Sequence, residues 1–324
     1  MSEKPKLKLA LYWAASCGGC EIAVVEINEK ILELDAAADI LFWPVAVDTK
    51  YDDVRRMPDG YIDVCLFNGA VRTSEQEEIA HLLRCKSKVM VAFGSCATEG
   101  CIPGLANLYS RDGIFERAYL TTPTTDNPEK ILPQTRTPVP EGELVLPEFY
   151  NTVLTLDDVV PVEYYVPGCP PQPHQIWSVI EAIVSGNLPP PPAVVGAGDK
   201  TCCDECTRKK GEKKVKRFYR PFEIIPDPEI CLLEQGLLCM GPATRSGCGQ
   251  GKALCVEANM PCRGCYGPAP NVIDQGAKML SAIASVIDSN DPEEIARIIE
   301  TIPDPAGTFY RFSLSKSLLR RARV

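Results

Sequence analysis

A chain of 324 residues with 45% apolar and 24% charged side chains has the size of two globular domains, each able to bury a core, and is not that of a disordered or fibrous protein. Its 43 acidic against 34 basic side chains leave a net charge of −9, which speaks against nucleic acid as the main partner. No apolar run approaches the roughly 18 residues of a membrane span, and the apolar stretch Leu9 to Ala15 lacks the length and cleavage pattern of a signal peptide. A cytoplasmic protein is expected.

In chain order, Leu7 to Ala14 reads as a first strand with turn residues after it. Glu21 to Leu34 repeats apolar residues at helical spacing (Ile22, Val25, Ile27, Ile31, Leu34), and one helix is expected there. Ile40 to Val47 and Ile62 to Ala70 are the second and third strands. Ser74 then stands three residues before Glu77, a capping box for a helix to Arg84. Lys88 to Phe93 and Glu163 to Val166 complete five strands, and Pro173 to Val184 is an amphipathic helix. Strand–helix alternation of this kind specifies a doubly wound parallel α/β sheet.

Between Pro103 and Val160 the periodicity fades among prolines and threonines; so long a connection either serves a function or is a surface excursion. Gly186 to Gly198, with Pro189 to Pro192, reads as a linker, dividing the chain at 1–190 and 199–324. Beyond it the sequence is rich in Gly, Pro and Cys up to Pro270, too poor in apolar periodicity for a conventional core, so metal staples are expected. Helices follow at Asn271 to Ile287 and at Asp291 to Thr301, the latter with Asp291 as cap and Pro292 in the first turn.

The chain holds 16 cysteines, and twelve of them fall into three groups of four. Cys17, Cys20, Cys96 and Cys169 form the first; Cys203, Cys206, Cys231 and Cys239 the second; Cys248, Cys255, Cys262 and Cys265 the third. Four thiolates are the ligand set of one cubane iron–sulfur cluster. Disulfides belong to small secreted domains with poor cores. Structural zinc uses compact modules and often histidine, whereas the first group is scattered over half the chain and only two histidines exist, His81 and His174. The scatter has a topological reading: Cys17 and Cys20 follow the first strand, Cys96 the fourth and Cys169 the fifth. Loops beyond the carboxyl ends of strands in such a sheet converge on one crevice. Gly18, Gly19, Gly94 and Gly168 beside the sulfurs permit close backbone approach, and no phosphate-binding loop follows the first strand, so flavin is not expected.

The motifs Cys17-Gly18-Gly19-Cys20-Glu21, Gly94-Ser95-Cys96-Ala97 and Pro167-Gly168-Cys169-Pro170-Pro171 together resemble the small subunit of nickel–iron hydrogenases, from about Lys6 to Pro270. The resemblance implies a flavodoxin-like domain followed by a small ferredoxin-like, cluster-stapled one. It implies a proximal cluster on the first group, a distal one on the second and a medial one on the third. Cys203 stands where many members have histidine and Cys255 where standard members have proline, so three [4Fe–4S] clusters are expected. Thiolate in place of imidazole should lower the potential. Cys202 competes with Cys203 for the distal site. The implied partner is a nickel–iron large subunit that splits hydrogen, with no hydrogen turnover by this chain alone. Among soluble members the viologen-reducing type is favoured, linked through an iron–sulfur adaptor subunit to heterodisulfide reductase, a complex of methanogenesis. Deazaflavin-coenzyme-reducing and sulfur- or nicotinamide-linked types are the alternatives. The small subunit of respiratory complex I shares the sheet but has adjacent cysteines in its first motif and lacks the later eight. A metal-stapled, non-enzymatic interaction protein is the alternative of another class.

Glu21 reads either as a proton relay facing the catalytic partner or as a carboxylate at a helix N-terminus. Cys65 and Cys85 read as small buried apolar residues. Cys101 is a reserve ligand at most, and His174 a packed or capping residue. The basic island Arg208 to Arg217 attracts an acidic redox partner or is a solvated face, and Arg320 to Arg323 a subunit contact or a frayed end.

Overall fold

The computed structural model describes residues 5–211 and 215–321. Among the described residues there are ten strands: β1 (Leu7–Trp13), β2 (Ala38–Phe42), β3 (Ile62–Asn68), β4 (Val71–Thr73), β5 (Ser87–Phe93), β6 (Arg136–Val139), β7 (Gly142–Val145), β8 (Phe149–Leu154), β9 (Tyr164–Val166) and β10 (Ala193–Val194). Six build the central sheet in the order β10-β9-β5-β3-β1-β2, and every pairing in it is parallel. The order reverses at β1 beside β3, the switch point of a flavodoxin-like sheet. Five of the strands lie where expected, except that the second runs Ala38–Phe42 and Trp43 to Val47 form a turn closed on the Trp43 carbonyl; the sixth, β10, lies in the stretch read as linker, where Ala193 and Val194 pair with Tyr164 and Tyr165.

Alternation along the strands supplies both faces of the sheet. Leu9, Leu11, Leu66 and Val91 face one layer with Ile176 and Ile180. Ala10, Tyr12, Phe67 and Met90 face the other with Ile79 and Leu83. The helix over the second face, Ser74–Lys86, is capped one residue earlier than expected. Thr73 accepts from the Gln76 amide at 3.3 Å, and the Gln76 side chain accepts from the Thr73 amide at 3.1 Å. Ser74 instead accepts from the Glu148 amide at 2.9 Å, and Glu77 from the Tyr150 hydroxyl.

The single helix expected from Glu21 to Leu34 is two, Gly19–Val25 and Lys30–Ala37. Asn28 between them takes a left-handed φ of 57°, which asparagine tolerates better than most residues. The break turns Ile27 and Leu34 inward while Ile22 and Val25 face out. The weakly periodic stretch is partly ordered: β6 and β7 make a hairpin, and β8 pairs antiparallel with β4. Cys85, expected inside, is exposed at the end of its helix, whereas Cys65 is fully buried in β3.

The cysteine-rich segment has more of a core than its composition suggests. Phe218, Leu232, Leu237 and Met240 pack with Met279, Ile283, Ile298 and Phe309. Those last four come from the helices Gln275–Ala284, Pro292–Glu300 and Pro305–Phe309, so apolar side chains distant in sequence fill it. Asp291 caps the second of these as expected. The first is shorter than expected because Asn271 has φ 63° and Asp274 is the cap. No helix among the described residues is long and apolar enough to cross a membrane.

Candidate iron–sulfur sites

The first cysteine group assembles at the carboxyl ends of β1, β5 and β9. Cys17 is exposed in the loop after β1, while Cys20 and Cys96 are buried and Cys169 half-buried. Backbone contacts hold the three loops together: Gly94 N–H donates to Val166 at 2.8 Å, and Ser95 N–H to Gly168 at 2.8 Å. Gly94 has φ 81°, and a Cβ built on it would sit 2.4 Å from the Cys20 sulfur, so glycine is required there on both counts. Cys101, whose role the sequence left marginal, is fully buried, with its sulfur 3.5 Å from that of Cys169. It makes this a gathering of five thiols. Glu21 is only 6% exposed and accepts from Asn68 Nδ2 at 3.2 Å and from the Trp43 indole. Burial raises its carboxyl, and the two bonds oppose that.

The second group surrounds a cavity of about 440 Å³ lined by Cys203, Cys206, Cys231 and Cys239. Gly241 forms part of its floor; a Cβ there would meet the Cys203 sulfur at 2.9 Å and that of Cys239 at 3.6 Å. Lys210 from the basic island lines the cavity, but Arg208 is buried. It donates to the carbonyls of Asp227, Ile230 and Val256 and to Asn259, pinning loops rather than meeting solvent. Lys209 pairs with Glu229 at 2.6 Å. Glu212 to Lys214 of the island, and Ala322 and Arg323 of the terminal basic run, lie outside the described residues.

The third group, Cys248, Cys255, Cys262 and Cys265, also has a fifth thiol. Cys202 lines the cavity of the Cys203 ring and also lies against Cys248 and Cys262. Burial and those contacts push Cys202 up, while contact with Cys202 pulls Cys248 and Cys262 down. A thiolate at neutral pH is the form that binds iron. Cys202 thus touches both the second and the third group, which its place beside Cys203 does not reveal in sequence.

The three groups adjoin in a row. Cys265 packs with Cys96, Cys101, Cys169 and Phe312, and Ser95 donates to the Cys265 carbonyl, linking the first and third. The Cys262 amide donates to the Cys239 sulfur at 3.3 Å, linking the third and second. Among the described residues no three His, Cys, Asp or Glu close around a single ion. All-thiol donor sets ringed by glycine cradles fit four-thiolate clusters.

Comparison with known proteins identifies the family. The family described as NADH ubiquinone oxidoreductase, 20 Kd subunit, matches residues 17–183, a span that contains the first cysteine group but not the other two. Over the whole length, the chain is 42% identical to the iron-sulfur subunit of the F420-non-reducing hydrogenase of Archaeoglobus profundus, covering 97% of this chain and 98% of that protein. It is 38% identical to the corresponding F420-non-reducing hydrogenase subunit of Methanothermobacter marburgensis, covering 97% and 96%. In fold it is similar to a chain of the [NiFeSe]-hydrogenase of Dm. baculatum, with a TM-score of 0.50 at 17% identity, over 82% of this chain and 95% of that one. The chain therefore belongs to the 20-kDa-subunit family of NADH ubiquinone oxidoreductase, and within it to the small subunits of F420-non-reducing nickel–iron hydrogenases.

Proposed function

We propose that this chain is the electron relay of its hydrogenase, holding three [4Fe–4S] clusters in a line from a nickel–iron large subunit to an acceptor protein. The observation that carries this reading is the row of adjoining cysteine groups, in which the group latest in sequence lies in the middle. Cys17, Cys20, Cys96 and Cys169 would hold the proximal cluster, Cys248, Cys255, Cys262 and Cys265 the medial one, and Cys203, Cys206, Cys231 and Cys239 the distal one. When bound, such clusters supply one-electron carriers whose potentials follow ligand charge, hydrogen bonds and burial.

The chain's own residues set those terms. Cys202 lies against Cys248 and Cys262, and the Cys262 amide donates to Cys239; each donor to a thiolate favours the reduced, more negative state. Burial of Cys20 and Cys96 keeps water from the proximal site, while Cys17 reaches the surface beside Ile22 and Val25, which are 62% and 59% exposed. That apolar edge is where the large subunit would dock. Glu21, buried next to Cys20, is assigned as the proton relay across that junction. The flavodoxin-like domain is taken as running through β10, past the boundary at residue 190 read from the sequence, because Ala193 and Val194 pair with β9; the cluster-bearing domain is taken as 199–324.

The relatives' names favour a type that does not use the deazaflavin coenzyme. Delivery through an iron–sulfur adaptor to heterodisulfide reductase, in the cytoplasm, is the assignment for the acceptor side. The test is anaerobic co-purification followed by hydrogen-dependent reduction of methyl viologen. A nickel-bearing partner and viologen reduction are expected. A chain without that partner, or one containing zinc and no visible cluster absorption, would leave the metal-stapled interaction protein as the better reading.

A further inference from the structure

A second cleft, of about 320 Å³, opens on the surface where the distal and medial cysteine groups meet. One wall is Leu238, next to Cys239; the other is Pro261 and Arg263, on either side of Cys262. Arg220, Arg263 and Arg311 all line it. None of the three guanidiniums has a carboxylate partner among the described residues: the side chain of Arg311 donates only to the Gly307 carbonyl at 3.3 Å. The carboxylate of Asp304, the acidic side chain on the rim, is engaged by the Gly307 amide at 3.0 Å.

This arrangement is costly as it stands. Arg263 and Arg311 are half-buried like charges lining one cleft, and Arg220 stands exposed in the same lining. A desolvated cation without a partner is unfavourable, and an incoming anion relieves it. Phe222, in the lining of the cleft, is 80% exposed, and Ile225, three residues further along the chain, is 98% exposed. Unpaired arginines framed by an exposed aromatic and an exposed aliphatic residue have the composition of a protein interface rather than of a small-ion site.

We infer that this cleft is the docking surface for an acidic electron-accepting protein, whose carboxylates pair with Arg220, Arg263 and Arg311 while an apolar residue covers Phe222. The assignment rests on the relay reading above and adds where the relay ends. It also accounts for a cationic cleft on a chain of net charge −9, which would otherwise repel an acidic partner at long range.

The test uses the anaerobically purified complex with its large subunit and, as probe, a strongly acidic two-cluster ferredoxin. Binding is titrated between 50 and 300 mM NaCl for wild type, Arg220→Gln/Arg311→Gln and Phe222→Ser. Arg263 is spared because it adjoins a cluster ligand. The double variant is expected to bind about 10-fold more weakly at low salt and with a flatter salt dependence. Phe222→Ser should weaken binding several-fold with the wild-type salt slope. Hydrogen-dependent reduction of methyl viologen should stay at the wild-type rate in both. Unchanged ferredoxin affinity with normal viologen reduction overturns the docking site alone, as does failure of the wild type to bind the probe or loss of the large subunit from the double variant. Absence of viologen reduction in the wild-type complex overturns the relay reading itself.

Discussion

At Gly94 the backbone passes so close to Cys20 that a methyl group would overlap its sulfur. Gly94→Ala should therefore displace one proximal ligand and cost about 4 irons per chain, the content of one cubane, read by anaerobic iron assay; full iron content would show that the loop can yield. Cys202 and Cys203 are separable in the same way. Cys203→Ala should remove the distal signal in electron paramagnetic resonance, whereas Cys202→Ala should keep all three and lower the medial potential, because a thiol hydrogen beside its ligands is lost. The reverse pattern would exchange their assignments. Glu99 offers a pH test: burial raises its carboxyl from 4.5 to about 8. Between those values the folded chain holds a proton that the unfolded chain releases, so this group makes stability fall as pH rises from about 4.5 to 8. Glu99→Gln should lose less thermal stability than wild type between pH 5 and pH 8; parallel curves would contradict the burial of that carboxyl. The convergence of the first cysteine group was legible in sequence because its members follow strands of one parallel sheet. The directions of Cys101 and Cys202, and the exposure of Cys85, depend on side-chain direction that no spacing encodes.

The helix Ser74–Lys86 shows how two overlapping capping signals are resolved. Both Thr73 with Gln76 and Ser74 with Glu77 match the capping pattern, and β4 ends at Thr73, leaving that residue extended at the cap. Thr73→Ala should cost about 1 kcal/mol and Thr73→Ser much less, measured by denaturant unfolding; equal losses would assign the effect to the methyl group. The break at Asn28 was invisible to periodicity, since Ile22, Val25, Ile27 and Ile31 repeat correctly through it. Two of those residues face outward instead, as helical spacing reports an apolar stripe and not what covers it. The parallel sheet was legible because its strands are buried on both faces and read as apolar runs. β10 was hidden by its prolines, and β6 and β7 by being short and exposed.

Across the whole molecule, the sheet sets the first cysteine group and the cysteine-rich segment stacks the other two against it. Phe312 returns from near the chain's end to pack between Cys96 and Cys265, so the last helices of the chain close the junction between the first and third groups. That return could not be read from sequence, where Tyr310 to Leu314 lie far from every cysteine. The most direct test of the central claim is the iron and acid-labile sulfide content of the anaerobically purified chain and of Cys96→Ala, Cys255→Ala and Cys231→Ala. The account predicts about 12 irons in the wild type and a loss of up to about 4 in each variant, since one cubane per group is at stake. An iron content near 4 or 8 in the wild type, or three variants that keep the full content, would contradict it.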